Sequence, residues 1–286
     1  MQDSLTLAPV DTQAPGPFPR ALAGCFPPRR EVLAFPGVAL THTRKSAPQA
    51  TIILNTAVSV PSSCQRCGAC CLRGGPALHA QDLPLFDEGG PLSLEHVLTL
   101  RVGEIAFDQP KDRLLPLGEE MLKLRGQSGT WTCQFYHRAA KACGLYENRP
   151  AECRALACRD IAPLAAMYET DRLTRADLLP AGHPVLEILA QHEELVPASG
   201  LLALSKALAA GGEAKQDAAE QLVRMFLADG LFRANLERHA GIGPEFHDFF
   251  FGREAKTLFA AAGIILSEDV HGQPRVSPDP LWRTPV

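Results

Sequence analysis

Apolar residues recur with helical spacing through the second half of the chain. Val185, Ile188, Leu189, His192 and Leu195 mark one helix, with Pro184 at its first position. Leu201, Leu202, Leu204 and Leu208 predict a second helix that stops at Gly211-Gly212. The longest periodic stretch is 213–239, with Leu222, Phe226 and Leu236 facing a core and Gly230 as a weak point within it. Residues 254–262 predict a further helix, and Ile264–Leu266 with Asp269–Val276 a hairpin about His271-Gly272.

The first half has no such rhythm. Residues 1–50 contain eight prolines and read as a loosely ordered segment. Thr51-Ile52-Ile53-Leu54, then Val58 and Val60, suggest a strand. A helical turn or two is expected near Gln81–Phe86. Ser93 should cap a helix that buries Leu94, Val97 and Leu98. Met121, Leu122 and Leu124 suggest a short buried strand. The expected fold is mainly α with an irregular metal-stapled region, α+β at most: a Pro-rich segment at 1–50, a cysteine-bearing core at 51–160 and a helical C-terminal half at 161–286 packed on it.

Composition narrows the classes. Apolar residues are 46% and charged residues 21% of 286, which fits a globular protein and excludes wholesale disorder. The longest apolar run, 258–266, spans nine residues, too few to cross a bilayer, and no secretory signal is visible, so a cytoplasmic location is expected. Net charge is −4, and no segment has the clustered Lys and Arg of a nucleic-acid footprint.

The nine cysteines change the picture. Their number is odd, and all but Cys25 lie between Cys64 and Cys158, which argues for metal rather than a disulfide framework. The first block is Cys64-x2-Cys67-Gly68-x-Cys70-Cys71; its first three members have the spacing of a ferredoxin loop, but residue 74 is glycine, so a ferredoxin proper is excluded. The second is Cys133-x9-Cys143-x9-Cys153-x4-Cys158. Pro150 reads as a first helical residue, placing Cys153 in a first turn, where the positive helix end favours a thiolate. Arg149, Arg154 and Arg159 add positive charge beside thiolates, the first two as cofactor-binding candidates. Adjacent side chains such as Cys70 and Cys71 rarely point the same way, so one is expected to ligate and the other to pack, or the two to serve different centres.

Together, the CxxCxxCC string and Cys143-x-Leu145-Tyr146-x2-Arg149-Pro150-x2-Cys153-Arg154 resemble the YkgJ-like cysteine-cluster family over about residues 60–160. That family is described as zinc- or iron-chelating. Its best-understood relatives are flagellin lysine methylases, whose similar cysteines are associated with an iron–sulfur cluster. The resemblance implies metal binding by Cys64, Cys67, Cys70, Cys71, Cys133, Cys143, Cys153 and Cys158; no Gly-x-Gly loop for S-adenosylmethionine accompanies them, so no reaction follows.

A [4Fe–4S] cluster is favoured over Zn2+, because the ferredoxin-like triple and the arginines suit an anionic cluster. Three functions fit: an iron–sulfur protein serving redox chemistry or the modification of a partner protein, a zinc-stapled protein-binding module, or an iron/zinc chelating and trafficking protein. His79, His96 and His137 are weaker ligand candidates. His192 reads as a hydrogen-bonded core residue, and Lys123 and Arg125 as solvated edge charges in preference to an anion site. Trp131 and Tyr136 are expected to cover the metal, with Tyr146 and Arg149 packing their loop.

Overall fold

The computed structural model describes residues 64, 66–157 and 160–283. Cys25, Cys158, Arg159 and the strand expected at 51–60 lie outside the described residues. The fold is mixed α+β, with more strand than the sequence pattern announces.

A short helix, α1 (Ala69–Arg73), carries Cys70 and Cys71. The stretch Ala80–Phe86 is a 3-10 helix, as its sequence suggests. After Ser93 only one 3-10 turn forms, Leu94–His96, before the chain extends into β1 (Val97–Leu100). The helix expected over Val97 and Leu98 is therefore a strand. All four β1 residues are buried, and a strand packed on both faces carries no alternation to distinguish it from one helical turn.

A hairpin follows, β2 (Ile105–Asp108) and β3 (Arg113–Pro116), within a stretch where no such pairing was expected. β4 (Met121–Leu124) is the short buried strand read from sequence and pairs antiparallel with β1, Val97 opposite Leu124. β5 (Tyr136–His137) and β6 (Ala142–Cys143) close a tight ribbon in the second cysteine block.

Three short helices follow, α2 (Ala151–Ala155), which carries Cys153, then α3 (Ala162–Met167) and α4 (Arg175–Leu178). α5 (Val185–Leu195) buries Val185, Ile188, Leu189 and His192, while Leu195 at its end is exposed. α6 (Leu201–Ala210) and α7 (Gly212–Asn235) form a helical hairpin; the turn between them needs positive φ at Gly211 and Gly212, 86° and 66°. Beyond α7 the chain makes a π turn over Leu236–Ala240. Then come α8 (His247–Phe250), α9 (Ala255–Ala261) and the C-terminal hairpin β7 (Ile264–Glu268) with β8 (Pro274–Pro278), turning at His271-Gly272 as expected. Pro150 and Pro184 sit one position earlier than predicted, as N-caps of α2 and α5. Among the described residues no helix is long and apolar enough to cross a membrane.

One apolar core joins both halves. Leu78, Val97, Leu122 and Leu145 from the cysteine-bearing half pack with Leu173, Ile188, Phe232 and Phe249–Phe251 from the helical half. Burying such side chains is worth about 1.5–3 kcal/mol each before entropy is charged against it. A second core lies between α6, α7, α9 and the C-terminal hairpin.

A charged network ties these layers together. Arg101, 1% exposed, donates through Nη1 to the Val196 carbonyl (2.9 Å) and Glu193 (3.1 Å), and stands 3.3 Å from Nδ1 of His192. A guanidinium can only donate, so His192 Nδ1 accepts and its Nε2–H faces Asp229 Oδ1 at 2.9 Å. Asp229 also accepts from Arg233 (3.0 Å) and from the Ala255 amide that starts α9 (2.9 Å). His192 is thus the hydrogen-bonded core residue that its place on an apolar face indicated.

Candidate metal centre

The first cysteine block is a preformed turn. Arg66 has φ 54°, and its N–H donates to Cys64 Sγ at 3.4 Å. Gly68 follows at φ 78° and is buried against Tyr136; a Cβ there would lie 2.0 Å from the phenol oxygen, so both backbone and space demand glycine. α1 then presents Cys70 and Cys71 with their sulfurs 3.9 Å apart. The expectation that these neighbours diverge is corrected here: a short helical turn leaves both side chains free to lean toward one side.

The second block is brought to the first by main chain. Cys133 N–H donates to the Cys71 carbonyl at 2.7 Å. Cys143 pairs with Tyr136 across the β5–β6 ribbon, and Gln127 clamps the preceding turn by donating to the carbonyls of Cys133 (3.1 Å) and Tyr136 (2.6 Å).

Cys153 is positioned by buried carboxylates that sequence reasoning missed. Asp82, fully buried, accepts the amides of His79 (3.0 Å) and Ala151 (2.8 Å), fixing the start of α2. Burial raises the Asp82 carboxyl above its usual range, against those two amides and the nearby Arg154 and His79, which lower it. Glu152 accepts the Ala77 amide (2.8 Å) and faces His79 Nε2 at 3.4 Å. Only the polar Gln81-Asp82 start hinted at this role.

Five thiols share one field. Burial first, then Cys70, Cys133 and Cys143, push Cys71 up to about 12. Burial pushes Cys133 up too, with Cys143 and Cys70 adding to it. Cys153 is driven well above the ordinary thiol value by burial, then by Cys133, Cys70, Cys143 and Cys71. The favourable helix end expected at Cys153 is outweighed by desolvation. Burial thus disfavours the thiolate form of Cys71, Cys133 and Cys153, and a bound cation would act the other way.

The donor set is therefore chemically suited to a thiophilic metal, and Cys71, Cys133, Cys143 and Cys153, with Cys70, are the residues that would hold it. Among the described residues no three His, Cys, Asp or Glu side chains already stand in chelating geometry, so the thiols must turn inward to share an ion. Cys64 is half-buried and Cys67 exposed at the rim. No disulfide links the described cysteines.

The remaining candidates separate cleanly. His79 is buried and spends Nδ1 on the Thr170 carbonyl at 2.8 Å. His96 caps its own turn, accepting the Ser93 amide at 3.0 Å, and packs on Phe135. His137 lies exposed on β5. Tyr136 is buried in the core and Trp131 is 53% exposed. Arg125 is no solvated charge: it donates to the carbonyls of Glu95 (3.0 Å) and Glu245 (2.9 Å) and pairs with Asp248 at 2.8 Å. Lys123 is half-buried, and burial pushes its ammonium pKa down while Glu152, Cys153 and Cys133 act to hold it up. Arg149 Nε donates to the Tyr146 carbonyl at 2.8 Å and its guanidinium lies over the Tyr146 ring, so both residues pack the loop as expected.

The spacing, the buried thiols and the junction of the two blocks all fall within one recognisable segment. Residues 63–171 match the CxxCxxCC family. Its description reads "Putative zinc- or iron-chelating domain", and the match spans rather more than a third of the chain. This is the family that the cysteine and Tyr-x2-Arg-Pro strings resemble. The matched segment ends at Asp171, four residues before α4. Searches of curated proteins and of solved structures found no match.

Proposed function

We propose that the CxxCxxCC segment holds an iron–sulfur cluster that serves electron transfer or the modification of a partner protein. The observation that carries the reading is the gathering of five thiols, drawn from both blocks, into one partly buried field. When bound, the cluster supplies a one-electron redox centre. The protein's own residues do the rest. Cys71, Cys133, Cys143 and Cys153 offer sulfur, Asp82 and Glu152 hold the start of α2, and Arg149 and Arg154 place positive charge beside an anionic centre. Free thiols and the absence of disulfides among the described residues suit a reducing, cytoplasmic setting. No role with nucleic acid or membrane is proposed.

Zinc is the second reading, and one distance favours it. Two sulfurs on a tetrahedral Zn2+ lie roughly 3.8 Å apart, and those of Cys70 and Cys71 are 3.9 Å apart. In that case the site is a staple, or a store from which the metal is passed on. Anaerobic purification with metal analysis and a visible spectrum separates the two. A broad visible band with iron and sulfide supports the cluster. A colourless protein with stoichiometric zinc supports the staple, and a protein with neither metal contradicts both.

A further inference from the structure

Three arginines from the cysteine-bearing segments gather at one aromatic ring. The guanidinium carbons of Arg66 and Arg149 each lie 4.2 Å from the centroid of Tyr146. Arg154 joins them through Nη1, which donates to the Arg149 carbonyl. Arg66 belongs to the Cys64–Cys67 turn, Tyr146 follows Cys143 by three residues, and Arg149 and Arg154 flank Cys153. Three cysteine-bearing segments therefore meet at this ring.

The charge there is not balanced from within. Among the described residues no carboxylate pairs with Arg66 or Arg149, and the nearest to Arg154 is Asp82 at 3.9 Å, a buried group already committed to two amides. Arg149 uses only its Nε on the Tyr146 carbonyl, so its terminal nitrogens remain available. Stacking on an aromatic ring orders a guanidinium and leaves its N–H edge free for a planar carboxylate, which it can hold bidentately.

We propose that Arg66, Arg149 and Arg154 around Tyr146 form an oxyanion subsite that holds the carboxylates of a small polycarboxylate chelate, the form in which a metal ion reaches the thiols. The inference rests on the metal-binding reading, which the arginines extend to the identity of the donor. In the transfer of a zinc ion, the second reading above, metal–oxygen bonds break as metal–sulfur bonds form. Each thiol releases its proton to the freed carboxylates or to water, and no electrons move.

Calorimetric titration of citrate into the metal-free, full-length protein tests the subsite without any metal present. Citrate should bind, and Arg66→Gln and Arg154→Gln should each weaken it by roughly tenfold. Arg66→Lys should recover part of the loss, and Arg138→Gln, an exposed change away from the ring, should cause none. Zinc loading at equal free zinc should be faster from zinc citrate than from zinc sulfate, with the difference lost in Arg66→Gln. The subsite is overturned if citrate does not bind the metal-free protein, if both variants bind it as wild type does, or if equimolar inorganic phosphate displaces it. Citrate binding in a protein that takes up no metal would support the subsite while refuting the metal reading.

Discussion

The amide of Cys133 donates to the carbonyl of Cys71 across 2.7 Å, so the two cysteine blocks are fastened through backbone as well as through any shared ligand. Sixty-two positions separate these residues in sequence. The main chain therefore holds the two blocks side by side.

Replacing Cys71 or Cys153 by alanine should abolish stoichiometric metal binding, whereas Cys25→Ala should not. Metal binding to cysteine sites is coupled to local folding free energy. Hydrogen exchange should therefore show reduced protection at 64–157 in the two site variants, with α5 and α7 retaining theirs. Metal content and exchange measured on the same samples check this.

Gly68→Ala should be severe for so small a change. The position has φ 78° and no room beside Tyr136. The left-handed conformation alone costs about 1–2 kcal/mol for a residue with a Cβ, and the clash adds to it. Chemical denaturation should show a loss above 2 kcal/mol, and Gly68→Ala with Tyr136→Phe should recover part of it by removing the phenol oxygen.

Asp82→Ala strands two buried amides, those of His79 and Ala151. Each orphaned donor costs about 1–3 kcal/mol, so the variant should lose roughly 2–5 kcal/mol. Asp82→Asn keeps one acceptor and should lose less. Equilibrium unfolding of the metal-free protein measures both.

Acid should destabilise the helical half in two stages. Burial first, and Arg101 beside it, hold the His192 pKa below its ordinary 6.5, while Asp229 and Glu193 oppose that shift. Folded His192 thus binds a proton more weakly than unfolded His192. Its contribution is complete above pH 6.5 and falls as pH drops below that value. At Asp229 burial raises the pKa, but the bonds from His192 and Arg233 outweigh it and hold the carboxyl at about 2. That contribution is present above the ordinary 3.8 and is lost as pH falls from there toward 2. Unfolding free energy between pH 8 and 3 should show both declines, and His192→Gln should remove the upper one.

Periodicity made the helices and the C-terminal hairpin legible, because an amphipathic helix repeats its burial every turn and His271-Gly272 marks a tight reversal. It could not reveal β1, whose residues are buried on both faces. Nor could it reveal the β2–β3 hairpin, where Phe107 and Leu114 lie opposite one another and are both exposed, so neither signals a core. At the site, the cysteine spacing is in the chain itself. The carboxylates behind it are not, since Asp82 lies 69 positions from the Ala151 amide it holds and Arg66 is far in sequence from Tyr146. Arg125 reads as a surface charge because its partners, Glu95, Glu245 and Asp248, come from distant segments.

X-ray absorption at the iron and zinc edges of anaerobically purified protein reads out the metal's inner shell. The expected result is one metal with a sulfur-only inner shell, Zn–S at about 2.3 Å if the metal is zinc, or sulfur with a short iron–iron distance if it is a cluster. That shell should be lost in both Cys71→Ser and Cys153→Ser. A shell of nitrogen and oxygen alone, or a sulfur shell unchanged in both variants, would contradict it.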